Sequence, residues 1–102
     1  MHMDDRNSIS ELATVCEALG NSVRLVILKK LCEREWYVYE LAKELGISRQ
    51  LIYLHIRKLE KAGLVEGEIR FNPSDPRVKK FYRAKKFRIV VDNETLRRIE
   101  EE

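Results

Sequence analysis

Residues 38–65 read VYELAKELGISRQLIYLHIRKLEKAGLV, and the spacing of apolar side chains within them decides the fold. Val38, Leu41, Ala42 and Leu45 recur at i, i+3, i+4 and i+7, the positions that line one face of a helix. Gly46 ends that helix, because glycine takes the left-handed conformation at little steric cost, and Ser48 can cap the next by accepting a backbone N–H. On a wheel of about 100° per residue, Ile52, Ile56, Leu59 and Gly63 fall in a narrow arc, with His55 and Ala62 at its flank. That arc is the core side. The opposite arc carries Gln50, Tyr53, Leu54, Arg57, Lys58 and Lys61. Two helices joined by Gly46-Ile47-Ser48 make a helix-turn-helix, in which Ala42 permits close approach and Ile52 plugs the space between the helices.

Working outward, Ile9, Leu12, Ala13, Val15, Cys16 and Leu19 outline a helix over residues 8–19. Its apolar arc is wide for so short a segment, so part of it is expected to face a second subunit. Gly20 ends it, and the next cap falls on Asn21 or Ser22. The second helix runs to about Glu33, with Val23, Ile27, Leu28 and Leu31 on its core stripe and Arg24, Lys29 and Lys30 outside. Trp36-Tyr37-Val38 is rich in strand formers and long enough for one edge strand.

Beyond Gly63 the period becomes twofold. Val65, Ile69 and Phe71 alternate with Glu66, Glu68 and Arg70 as a half-buried strand would. Asn72-Pro73-Ser74-Asp75-Pro76 is a turn, and a second strand follows from about Val78 to Lys85. Arg77, Lys79 and Lys80 put charge on this hairpin, a wing over residues 65–85. Phe87, Ile89 and Val91 alternate again. Asp92 or Asn93 then caps a closing helix over residues 93–102, whose terminal Glu100-Glu101-Glu102 opposes the macrodipole and predicts fraying. The expected fold is α+β, mainly α: a winged helix-turn-helix with a three-helix core, a β-hairpin wing and flanking N- and C-terminal helices. The helix-turn-helix spans 38–62 of a single domain, residues 1–102.

A chain of 102 residues buries a modest core, which makes a homodimer the default expectation. The subunit contact is expected from Ile9, Leu12, Val15 and Cys16 with Leu96 and Ile99. No apolar run is long enough to span a membrane and no leader pattern opens the chain, so the cytoplasm is expected. Cys16 and Cys32 lie far apart in apolar, helix-period segments and read as buried thiols rather than a metal pair. Glu, Lys and Arg supply 33 residues against one Gln and four Asn, a bias that bears on heat stability and not on function. Charge is divided unevenly: residues 1–45 carry six basic and eight acidic side chains (−2), 46–90 carry twelve and four (+8), and 91–102 carry two and five (−3). A basic block in one contiguous half of the chain is the footprint of phosphate neutralisation. With two histidines, no glycine-rich phosphate loop, no nucleophile motif and no clustered carboxylates, the chain carries no enzyme signature and no cofactor site.

Two segments resemble the ArsR/SmtB family of bacterial and archaeal regulators. Leu19-Gly20-Asn21-Ser22-Val23-Arg24-Leu25 is similar to that family's opening to its second helix. Ser48 through Val65, with Ile52, His55, Ile56, Leu59 and Ala62-Gly63-Leu64-Val65, resembles its recognition helix and the exit into the wing. The resemblance implies a homodimer on a pseudo-palindromic operator of double-stranded DNA, usually as a repressor. One departure concerns the ligand: metal-sensing members place Cys-Val-Cys where this chain has Tyr37-Val38-Tyr39, and phenols are poor ligands for soft metal ions at neutral pH. No metal site is therefore expected, and the effector is open.

Position assigns the individual roles. The first turn of a recognition helix points most directly into the major groove, so Arg49 and Gln50 are the first candidates for reading bases, with Tyr53 and Arg57 next. Ser48, Lys58, Lys61, Arg77, Lys79 and Lys80 are candidates for phosphate contacts. His55 reads as a core-flanking histidine and only secondarily as a DNA contact. Leu54 sits where a polar residue belongs, and either meets a thymine methyl or packs under the wing. A protein-interaction module using Tyr53 and Leu54 in a helix-in-groove contact is the rival reading, with RNA binding a third.

Overall fold

The computed structural model describes residues 8–102. Its elements run α1 (Ile9–Leu19), α2 (Ser22–Glu33), β1 (Trp36–Tyr37), α3 (Val38–Leu45), α4 (Arg49–Lys61), β2 (Val65–Asn72), β3 (Asp75–Ala84) and α5 (Asn93–Arg98). The caps follow the local chemistry. Of the two candidates it is Asn21 that starts α2, its side chain accepting the Arg24 N–H at 2.9 Å. Gly46 closes α3 at φ 68°, and Ser48 Oγ accepts the Leu51 N–H at 3.1 Å to open α4. Asp92 and Thr95 cap α5 reciprocally, each side chain accepting the other's backbone N–H.

The core is built on the predicted inner arc of α4: Ile52, Ile56 and Leu59 are fully buried, together with Ile27 of α2, Leu41 of α3 and Leu64 beyond α4. Val65 and Tyr82 close it from the hairpin. The sheet is antiparallel in the order β1-β3-β2, with Trp36 opposite Tyr82, Tyr37 opposite Phe81 and Val65 opposite Ala84. This is the mainly helical winged architecture that the periodicities imply.

Several local expectations are corrected. Strand β2 is not half-buried: Val65 alone is covered, while Ile69 and Phe71 are 66% and 65% exposed. Alternation is present, but among the described residues nothing covers the outer half of the hairpin, where Val78 is exposed beside Ile69 and Phe71. The turn is shorter than expected, Pro73 and Ser74 alone, because Asn72 pairs with Asp75 and β3 starts there rather than at Val78. The register slips between Phe71 and Asn72, the irregularity that a proline without an N–H requires inside a hairpin.

Helix α5 ends at Arg98, not at Glu102. The acidic tail runs instead beside the start of α1, where the carbonyls of Glu100 and Glu102 accept the N–H groups of Ile9 and Ser10 at 2.8 and 2.9 Å. Those are two of the orphan donors of the first helical turn, and the negative residues now sit at the positive end of a dipole rather than opposing one.

The stripe of α2 is also shifted. Arg24 is buried at 8% exposure, whereas Val23, Leu25 and Val26 face solvent. Cys16 and Cys32 are exposed thiols, not buried ones, because each lies on the outer side of its helix. Val15 is buried within its own chain at 1% exposure and so has no surface for a subunit contact.

Candidate nucleic-acid interface

Helix α4 presents two chemically opposite faces, and the outer one is open to solvent along its length. Ser48, Arg49 and Gln50 are exposed at its start, followed by Tyr53, Leu54, Arg57, Lys58 and Lys61. Ser48 uses an oxygen lone pair for the cap and keeps its hydroxyl hydrogen for another acceptor. The Arg49 guanidinium lies 5.8 Å from the Tyr39 ring centroid, and the ammonium of Lys43 lies 5.6 Å from it. Among the described residues Arg57, Lys58 and Lys61 form no ion pair, so their charge is available to an outside anion.

The wing differs from α4. Arg70 donates to both oxygens of Glu35 and to Glu68, and Arg83 pairs with Glu66, Glu68 and Glu35. Alternation makes this network: Glu66, Glu68 and Arg70 share one face of β2, and Arg83 stands directly opposite Glu66. The Arg70 guanidinium holds the Glu35 and Glu68 carboxyls below the usual carboxylate range. Nearer the tip, Arg77 donates to Asp75 and pulls that carboxyl down in turn. Lys79 sits 4.0 Å from Asp75 and 4.6 Å from the Tyr37 ring centroid, and Lys80 lies 5.4 Å from that of Tyr82. Sequence charge therefore overstates the wing's field, since part of it is cancelled within the sheet.

Two connections escaped the sequence reading. Glu35, at the entry to β1, ties the wing to the helical body through Arg70. Arg24 reaches from α2 to the end of α1 and to α4: its Nε donates to the Ala18 carbonyl at 2.7 Å, one terminal nitrogen donates to the Glu17 carbonyl at 3.2 Å, and the other lies 3.2 Å from His55 Nδ1. A signal was present, because Arg24, Ile27, Leu28 and Leu31 themselves fall at i, i+3, i+4 and i+7. Charge argued against placing the arginine inside, and three acceptors outweigh it.

His55 must accept at Nδ1 to meet the arginine, which makes it the neutral imidazole. Burial lowers its pKa, and the Arg24 charge lowers it further. A folded value below the ordinary one of about 6.5 gives stability that is full above that value and lost as pH falls through the lowered one. The urea midpoint is expected to drop between about pH 7.5 and about pH 5 more steeply in the native protein than in His55→Gln. Equal slopes in the two proteins would refute the coupling.

Tyr37 and Tyr39 stack with centroids 6.4 Å apart, and Tyr37 meets Phe81 edge-on at 5.4 Å. Among the described residues no group of three His, Cys, Asp or Glu side chains is placed to hold a metal ion. Among them, too, no helix is long and apolar enough to cross a membrane.

A helix with a cationic, solvent-facing outer surface, held by a preceding helix and followed by a hairpin, defines a winged helix-turn-helix DNA-binding domain. Residues 21–67 match the model of the bacterial regulatory protein family arsR. An uncharacterized HTH-type transcriptional regulator of Methanocaldococcus jannaschii is 45% identical over 81% of this chain and 85% of its own. Among solved structures, an ArsR-like transcriptional regulator from Rhodococcus sp. RHA1 is similar at TM-score 0.63 and 34% identity, over 74% of this chain and 66% of that one. A domain from Mycobacterium bovis described as a homodimeric winged helix-turn-helix DNA-binding domain is similar at TM-score 0.64 and 26% identity, over 87% and 71%. The chain belongs to the arsR family of transcriptional regulators, which are DNA-binding proteins and not enzymes.

Proposed function

We propose that this chain is a homodimeric, sequence-specific repressor in the cytoplasm, in which residues 8–102 act as one unit on double-stranded DNA. The observation that carries the reading is the outer face of α4, where exposed Arg49 and Gln50 lead and the exposed cations Arg57, Lys58 and Lys61, which form no ion pair among the described residues, follow. Arg49 and Gln50 read guanine and adenine edges from the first turn, with Tyr53 and Arg57 behind them. Ser48, Lys58, Lys61 and Lys80 hold phosphates. Arg77 and Lys79 join them only by sharing Asp75, so their contribution is the smaller.

The homodimer of the Mycobacterium bovis domain supports the dimer proposed here. Its surface on this chain is the exposed apolar set of Ile9, Cys16 and Leu96, with half-buried Leu12 and Ile99 beside them. Repression follows from occupying an operator that polymerase needs. With tyrosines at the start of α3 in place of a thiolate pair, the signal that releases the DNA is not a soft metal ion bound there.

Binding to mixed duplex DNA across a salt series tests the proposal. Log affinity is expected to fall linearly with log salt, by roughly 0.9 per phosphate neutralised. A flat response, or no binding at low salt, sinks the DNA reading and favours a protein partner for the same face.

A further inference from the structure

At 56% exposure Leu54 is the most exposed large apolar side chain on the described helices. It is therefore not packed beneath the wing. A solitary exposed leucine is common on protein surfaces; what distinguishes this one is its place. Leu54 lies at the middle of the outer face of α4, one turn after Gln50 and one turn before Lys58, with Arg57 three residues on. Leu51, also exposed, lies three residues before it on the same side. The face that meets DNA thus carries a small apolar spot enclosed by groups that donate hydrogen bonds or charge.

The major groove offers such a spot one partner. Base edges there present hydrogen-bond donors and acceptors, and the sole apolar group among them is the C5-methyl of thymine. We propose that Leu54 reads a thymine methyl in each half-site, an assignment that rests on the DNA reading above and adds a base to it. Four residues of helix separate Gln50 from Leu54, about 6 Å along the axis. Against about 3.4 Å per base step, the thymine lies within about two steps of the pair that Gln50 reads.

Deoxyuridine removes that methyl and leaves the hydrogen-bonding edges intact. An operator is selected from random duplexes with the intact protein, each thymine is replaced singly by deoxyuridine, and affinity is read by fluorescence anisotropy at fixed salt. One thymine per half-site is expected to cost the native protein about fourfold on replacement, the value of burying one methyl group. Leu54→Ala, at an exposed position and with an unchanged melting temperature, is expected to lose the same factor on thymine DNA and nothing further on uracil DNA. Native protein that tolerates every uracil overturns the assignment, as does Leu54→Ala that stays as sensitive as native at the same base. Failure of the DNA reading itself looks different: no sequence is enriched and duplex binding does not respond to salt.

Discussion

Arg24→Ala is expected to lower the unfolding free energy by about 3 kcal/mol, although the residue is outside the proposed DNA-contact set. The arginine supplies donors to the Ala18 and Glu17 carbonyls in the last turn of α1; the Glu17 carbonyl also accepts the Gly20 N–H at 3.3 Å, so the bond to Ala18 is the one that matters most. Alanine leaves the shorter of those bonds, 2.7 Å to Ala18, without its donor in a buried site. Hydrogen bonds from a charged donor contribute roughly 1.5–3 kcal/mol, and a stranded buried carbonyl adds a penalty of its own. Arg24→Lys is expected to restore little, because an ammonium cannot reach three acceptors lying in different directions. Urea unfolding at neutral pH and fixed protomer concentration measures the effect, concentration being held because a dimer's stability depends on it. An alanine variant within about 0.5 kcal/mol of the native protein would show that water replaces the guanidinium at no cost.

Arg49→Ala is expected to weaken binding to the preferred operator by about thirtyfold per half-site and to leave binding to unrelated duplexes nearly unchanged. The first residue of α4 is exposed and, among the described residues, backed only by the Tyr39 ring, so its fork is available to a guanine edge. Lys58→Ala provides the contrast. It is expected to weaken all sequences alike and to reduce the salt slope by about one, as the loss of a phosphate contact does. Parallel titrations of operator and scrambled duplex separate the two outcomes. An Arg49→Ala variant that loses both duplexes equally would make Arg49 a backbone clamp and pass base reading to Gln50 and Tyr53.

Much of the fold was legible because helix α4 and its neighbours follow simple periods. Burial of Ile52, Ile56, Leu59, Leu41 and Ile27, the stop at Gly46 and the cap at Ser48 are local or single-face properties, set by spacing and by side-chain chemistry. The outer face of α4 was legible for the same reason. What escaped is whatever depends on where two distant segments meet. Alternation in β2 promised a buried side, yet burial needs a second layer, and among the described residues nothing covers the outer half of the hairpin. Three terminal glutamates opposed the dipole of the helix they were assigned to, whereas the tail leaves that helix and the backbone carbonyls of two of them, Glu100 and Glu102, accept the first N–H groups of α1.

Charge shows the division most clearly. Twelve cations between residues 46 and 90 are a fact of composition, and they pointed correctly to an arginine- and lysine-bearing face. Which of them remain free is decided by strand register and by Glu35, which place carboxylates against Arg70 and Arg83, while Arg49, Arg57, Lys58 and Lys61 of α4 form no ion pair among the described residues. The sequence by itself determined that a helix-turn-helix forms and which of its sides faces water, because a period of 3.6 residues is a short-range property. Only the tertiary structure decided that Arg24 is internal and that much of the wing is self-neutralised, because pairing energies depend on distances between groups far apart in the chain.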